Sequence, residues 1–300
     1  MLKIALHPSY AHDLPEGHRF PMEKYELLPT QLLYEGTVSE ENFFSPGILD
    51  TETALLTHSA AYLNKLESLS LSKQEIRRTG FPLSAALIAR EKRIMQGTVE
   101  AANFALEHGI AMNIAGGTHH AYSNLGEGFC LLNDNAIAAN WLLTKKLAKK
   151  VLIVDLDVHQ GNGTAEIFEN NDSVFTFSMH GKNNFPLRKE KSDLDIGLED
   201  GTKGAEYLGI LCNTLEPLIN QVKPDFIFYQ CGVDVLESDK LGRMALTITD
   251  CKTRDAIVLE LAHKYQIPMC CSMGGGYSEK ISVIIEAHAN TYRLAQEIYF

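Results

Sequence analysis

Apolar positions along this chain fall into two rhythms. Continuous, β-branched-rich runs recur as KIALH (3–7), IAMNIAGG (110–117), VLIVDLD (151–157), VFTFSMH (174–180), DFIFYQCG (225–232) and PMCCSMGGG (268–276). Unbroken apolar runs suit strands buried on both faces, whereas a half-buried strand alternates. Between them lie helical patterns near 83–108, 134–149, 203–222, 250–265 and 279–297. In the first, Leu83, Leu87, Ile94, Val99, Ala102 and Leu106 form an apolar stripe and Gly109 stops it. Strand–helix alternation predicts an α/β three-layer sandwich with a mostly parallel central sheet, in a single domain spanning 1–300. Residues 8–48 and 181–202 break the rhythm with polar, Gly-, Pro- and aromatic-rich sequence. Long loops in such a domain tend to carry function, and sites in open α/β sheets lie beyond the carboxyl ends of the strands.

The strand ends carry the chemistry. The run 151–157 leads into Asp155-Leu156-Asp157-Val158-His159. If the extended conformation persists, all three polar side chains share one face. Two carboxylates and an imidazole together call for a cation. The run 225–232 leads to Asp234, a third carboxylate at the same edge. Asp157, His159 and Asp234 thus make a three-ligand site with open positions, the mark of a catalytic metal. Gly116-Gly117-Thr118 precede His119 and His120, one of which can serve as general base and then general acid. Gly274-Gly275-Gly276 let backbone approach a ligand, and Tyr277 can donate to a developing oxyanion.

Composition narrows the function further. The net charge of -11 argues against direct nucleic-acid binding and is compatible with a cationic partner such as a lysine-rich peptide. Cys130, Cys212, Cys231, Cys251, Cys270 and Cys271 include no CxxC pair and read as free thiols of a reducing compartment. With no signal-peptide pattern and no stretch of membrane-spanning length, a cytoplasmic protein is expected, nuclear being open in a eukaryote.

GGTHHA (116–121), GFCLLND (128–134), DLDVHQGNGT (155–164), FTFSMH (175–180), GVD (232–234) and GGGY (274–277) together resemble the histone deacetylase family, in the family's order. HRFPMEKY (18–25) and RRTGFP (77–82) look like its class IV branch and bacterial relatives. The resemblance implies a zinc-dependent hydrolase with the arginase/deacetylase fold. It removes an acetyl or longer acyl group from lysine side chains of peptides or proteins, and hydroxamate-type inhibitors are expected to bind. Asp157, His159 and Asp234 would hold one zinc ion. His120 would be the main general base and acid, with His119 an electrostatic partner held by Asp155, and Tyr277 would polarise the scissile carbonyl. The Gly128 carbonyl would accept the substrate amide N–H, Phe129 and Phe185 would wall a tunnel for the lysine stem, and Gly275 would line it. Potassium is implied at Asp155, Asp157, His159, Ser178 and Met179, and again at the carbonyls of Phe168, Asn171 and Val174.

Three positions depart from family branches. Asn162 stands where several relatives place an Asp behind the second histidine, so His120 is expected to stay neutral at lower pH. Gln160 replaces a common His and is not an expected ligand. Leu241 stands where polyamine-selective relatives carry an acidic gatekeeper, which disfavours a cationic polyamine. Deacylation of small acetylated amines, polyamine or acetoin-related, is the alternative. An arginase-like two-metal site would need an acid where Gly161 stands. A non-catalytic acyl-lysine binder would not need His119, His120 and Tyr277 together.

Overall fold

The computed structural model describes residues 1–300. Its strands are β1 (Lys3–Ala5), β2 (Phe43–Phe44), β3 (Ile110–Asn113), β4 (Val151–Asp155), β5 (Val174–Gly181), β6 (Leu194–Leu198), β7 (Phe226–Gln230) and β8 (Met269–Ser272). Its helices are α1 (Lys24–Tyr34), α2 (Thr51–Leu55), α3 (Ala60–Glu67), α4 (Lys73–Thr79), α5 (Ala85–His108), α6 (Asp134–Thr144), α7 (Asn162–Phe168), α8 (Gly204–Val222), α9 (Ile248–Lys264) and α10 (Ile281–Tyr299). The strands form one eight-stranded sheet in the order β2-β1-β3-β8-β7-β4-β5-β6. Every pairing in it is parallel. The expected α/β sandwich is therefore observed.

Every residue of β3, β4, β7 and β8 is buried, which explains their unbroken apolar sequence. The edge strand β6 alternates partly buried and exposed positions (LDIGL). That pattern contains no unbroken apolar run, and β6 lies in a stretch expected to be loop. So do α1 and β2, within 8–48. Helix α5 packs on β1, β3, β8 and α6, while α9 packs against α8 and α10, and α10 against α1.

Register places the site. Asn113 lies beside Ser272, Ser272 beside Gln230, Gln230 beside Asp155, and Asp155 beside Ser178. Four adjacent strands, β3, β8, β7 and β4, thus end level, with β5 running three residues further to Gly181, and the loops that follow emerge side by side. All the predicted strands but β5 also stop earlier than the apolar runs suggested. β4 ends at Asp155, so the extended geometry expected through His159 does not hold. Side-chain-closed turns replace it: Asp157 N–H donates to Asp155 Oδ1 at 3.2 Å, and His159 N–H donates to Asp157 Oδ1 at 3.0 Å. No helix is long and apolar enough to cross a membrane.

Candidate metal and acid–base site

The turn after β3 is held from below by Asp134, the first residue of α6. Its Oδ1 accepts from the backbone N–H and hydroxyl of Thr118 at 2.8 and 2.9 Å, and its Oδ2 accepts from Thr98 and Ser272 at 2.8 Å each. This buried carboxylate sets the turn that presents His119 and His120.

The two histidines are prepared differently. His119 Nδ1 lies 2.7 Å from Asp155 Oδ2 and so donates its proton there. Burial alone would depress its pKa, but the carboxylates of Asp155 and Asp157 outweigh burial and hold it at about 9. His120 Nδ1 lies 2.6 Å from Asn162 Oδ1. The amide orientation is set by its other end, because Asn162 Nδ2 donates to the Tyr122 hydroxyl at 2.9 Å and to Glu127 Oε2 at 3.0 Å. The Asn162 oxygen must therefore accept, His120 carries its proton on Nδ1, and Nε2 keeps its lone pair. Burial, aided by the positive His119 and His159, pushes the His120 pKa well below the usual value, while the bond to Asn162 acts in the opposite direction.

Beside them Asp157, His159 and Asp234 converge. One candidate ligand atom from each lies within 4.8 Å of the others. His159 Nδ1 is 3.0 Å from both Asp157 Oδ1 and Asp234 Oδ2. The remaining oxygens are anchored by backbone: Gly275 N–H donates to Asp157 Oδ2 and Val158 N–H to Asp234 Oδ1, each at 2.9 Å. Two buried carboxylates aimed at one imidazole nitrogen demand a positive charge between them. Against burial, they hold His159 protonated with a pKa of about 10, while burial and the Asp157 charge push Asp234 up to about 7. Metal bonds of about 2.1 Å in a tetrahedron give ligand separations of about 3.4 Å, which the observed spacing brackets. The donor set therefore fits one divalent ion of the zinc type.

The residues expected to wall a tunnel lie together beside this cluster. Phe129, Phe185, Leu241 and Tyr277 line the mouth, and Gly275 and Gly128 line the chamber beneath. The Phe185 ring stands edge-on to His120 at 4.9 Å, and Phe129 lies 6.0 Å from Tyr277. Gly128 has φ +55°, and a Cβ there would come within 2.7 Å of His120 Cδ2. Only glycine lets this backbone approach the imidazole. Tyr277 is fixed through its N–H to Asp239 Oδ2 at 2.6 Å, leaving its hydroxyl without a protein partner.

Of the potassium candidates, Asp155 and Ser178 are neighbours across β4 and β5 and Met179 is buried beside them. The Phe168 and Asn171 carbonyls accept backbone N–H groups of Asn171 and Val174 at 3.0 Å. Gln160 makes no ligand and instead bonds Glu190 and Asp195.

Three contributors had escaped the sequence reading. Lys24 is fully buried; it donates to the Gly274 carbonyl at 3.0 Å and lies 5.8 Å from the Tyr277 ring centre. Burial lowers its pKa to about 8. Arg254, also fully buried, donates to the carbonyls of Leu156 and Gly232, beside the ligand positions. Glu127 backs Asn162. Only Arg254 left a signal: Arg254 and Asp255 interrupt the apolar face of α9 between Cys251 and Val258.

Comparison with known proteins points to one family. The histone deacetylase domain family matches residues 18–292. An uncharacterized protein of Picosynechococcus sp. is 44% identical over 296 residues, covering 99% of both chains. Histone deacetylase 2 of Arabidopsis thaliana is 28% identical, covering 89% of this chain and 72% of that protein. The acetoin utilization protein AcuC of Staphylococcus xylosus is 29% identical over 89% of this chain and 76% of that protein. The crystal structure of the HDA15 HD domain shares the fold, with a TM-score of 0.82 over 96% of this chain and 89% of that one at 20% identity.

Proposed function

This chain belongs to the histone deacetylase family and is a hydrolase of amide bonds; on that premise we propose that it removes acetyl or longer acyl groups from lysine side chains of peptides or proteins. We place it in the class IV-like branch, as one cytoplasmic catalytic domain over residues 1–300. The observation that carries the reading is the pairing of unlike histidines beside the Asp157–His159–Asp234 cluster. His120, backed by the Asn162 amide oxygen, keeps a free Nε2, and it sits next to His119, backed by the Asp155 carboxylate.

Asp157, His159 and Asp234 would hold the metal ion, which would supply Lewis acidity to the amide carbonyl and to water. His120 Nε2 accepts the proton of the attacking water and returns it to the leaving amine. Asn162 keeps that nitrogen free by accepting from Nδ1. His119, held by Asp155, adds positive charge where the oxyanion develops. Tyr277 donates its free hydroxyl to the same oxygen. Phe129 and Phe185 pack the methylene stem, Gly128 accepts the substrate amide N–H, and Gly275 lines the tunnel. Leu241 offers no acid to a polyamine cation, which favours acyl-lysine over acetylpolyamine. Potassium at Asp155, Asp157, His159, Ser178 and Met179, and at Phe168, Asn171 and Val174, belongs to the same proposal.

The test is turnover of a library of acyl-lysine peptides and small acetylated amines, with and without a hydroxamate. Hydroxamate-sensitive release of acid from lysine peptides is expected. Turnover confined to small amines would overturn the substrate assignment, and no turnover of either would overturn the chemistry.

A further inference from the structure

The mouth of the pocket, a depression of about 370 Å³, carries three arginines on its rim: Arg19, Arg77 and Arg78. All three are exposed. The chain's other arginine ion pairs engage Arg90, Arg243, Arg254 and Arg293, and none involves these three. Arg77 Nε reaches only the Lys73 carbonyl at 3.3 Å. Of the acids nearby, Glu127 accepts from Asn162 and Glu75 pairs with Lys65 at 2.8 Å, while Glu23 and Glu279 line an adjoining depression with Arg19 without forming an ion pair to it.

Their placement is tied to the tunnel wall. Gly128 N–H donates to the Arg78 carbonyl at 3.0 Å and Phe129 N–H to the Thr79 carbonyl at 2.8 Å, so the last turn of α4 is fastened to the wall. From the opposite side, His18 Nε2 bonds the Gly80 carbonyl at 2.8 Å, and the next residue, Arg19, sets its guanidinium 6.0 Å from the Phe129 ring centre. The α4 carboxyl end favours cations in its final turn, which accounts for Arg77 and Arg78 in part. It does not account for Arg19, which arrives from a separate loop. In a chain of net charge -11, three unpaired guanidinium groups focused on one opening form a local field of opposite sign to the whole.

We propose that the rim selects acyl-lysines flanked by acidic residues: the substrate segment carries Asp or Glu carboxylates next to the modified lysine, and Arg19, Arg77 and Arg78 pair with them. This rests on the deacylase reading above and narrows its substrate class. It differs from the lysine-rich partner with which net charge alone is compatible. Planar guanidinium groups suit bidentate carboxylate pairing, and the exposed setting makes the attraction sensitive to salt.

The test uses the zinc-loaded protein and three acetyl-lysine peptides of one length, with acidic, neutral or basic flanks. Turnover is measured by kcat/KM and binding by fluorescence polarisation. The acidic peptide is expected to exceed the neutral one by about ten-fold at low ionic strength, mostly through KM. The ratio should shrink towards one in high salt and in the Arg19→Gln/Arg77→Gln/Arg78→Gln variant. A wild-type ratio at or below one, or a preference that survives the triple variant or high salt, would overturn the proposal. Equal turnover of all three peptides removes the rim's role and keeps the deacylase reading. Salt-sensitive, acid-selective binding without any turnover keeps the rim's role and removes the deacylase reading.

Discussion

Replacing Arg254 with methionine tests how the buried frame supports the metal cluster. The guanidinium donates from Nη1 to the Leu156 carbonyl at 3.1 Å and the Gly232 carbonyl at 2.7 Å, and from Nε to Asp255 Oδ1 at 2.8 Å. Leu156 lies between Asp155 and Asp157, and Gly232 is two residues before Asp234. The one side chain therefore ties β4 and β7 together where both deliver ligands. Asp255 is shared with the Tyr229 hydroxyl at 2.5 Å and the Thr291 hydroxyl at 2.7 Å. Methionine roughly keeps the volume but leaves Asp255 and the two carbonyls without their cation. Removing one partner of a buried pair costs about 3–5 kcal/mol. Urea unfolding of the metal-free protein should show that loss as a lower midpoint at unchanged slope. Loosening supports behind ligands typically weakens metal binding about 10–100-fold, measurable by competition with a chromogenic chelator. Arg254→Met/Asp255→Leu removes both charges and should recover most of the stability while metal affinity stays low. A single-variant loss below about 1 kcal/mol would refute the buried-pair reasoning. Wild-type metal affinity in the double variant would refute the positioning role.

Other outcomes follow from the same geometry. Tyr277→Phe removes an oxyanion donor and should lower kcat by about 10²–10³ with little change in KM in steady-state assays; unchanged kcat would end its assignment. Asn162→Asp places a charged acceptor behind His120 and raises its depressed pKa. Less of it is then neutral in acid, so the acid limb of the kcat/KM profile should move to higher pH; an unmoved limb contradicts His120 as the base. His58 is buried, bonded by Nδ1 to the Tyr122 carbonyl at 3.0 Å and accepting from Asn133 N–H at Nε2, also at 3.0 Å; burial lowers its pKa from 6.5 to about 4. The unfolded chain therefore binds its proton first, and stability held above pH 6.5 should fall by roughly 3 kcal/mol as pH drops towards 4. His58→Gln should flatten that part of the urea-midpoint profile.

Much of this was legible in the sequence because buried parallel strands are written as unbroken apolar runs. β1, β3, β4, β7 and β8 each fall within a predicted run and β5 outruns its own by one residue, and residues just past the ends of β3, β4, β7 and β8 form the site. The edge strands β2 and β6 and the short helices α2, α3 and α4 lacked so strong a pattern. The geometry after Asp155 was misjudged, since side-chain-closed turns, not strand periodicity, bring Asp157 and His159 together. Lys24 and Glu127 were invisible because their roles depend on contacts made across the sheet edge. The three rim arginines gather only when the loop before α1 meets the end of α4.

The central claim is tested most directly by titrating zinc into the metal-free protein while following acid release from an acetyl-lysine peptide. Activity should rise linearly and level off at one equivalent per chain, with His159→Ala inactive throughout. A plateau at two equivalents, or undiminished release in His159→Ala, would contradict a single ion held by Asp157, His159 and Asp234.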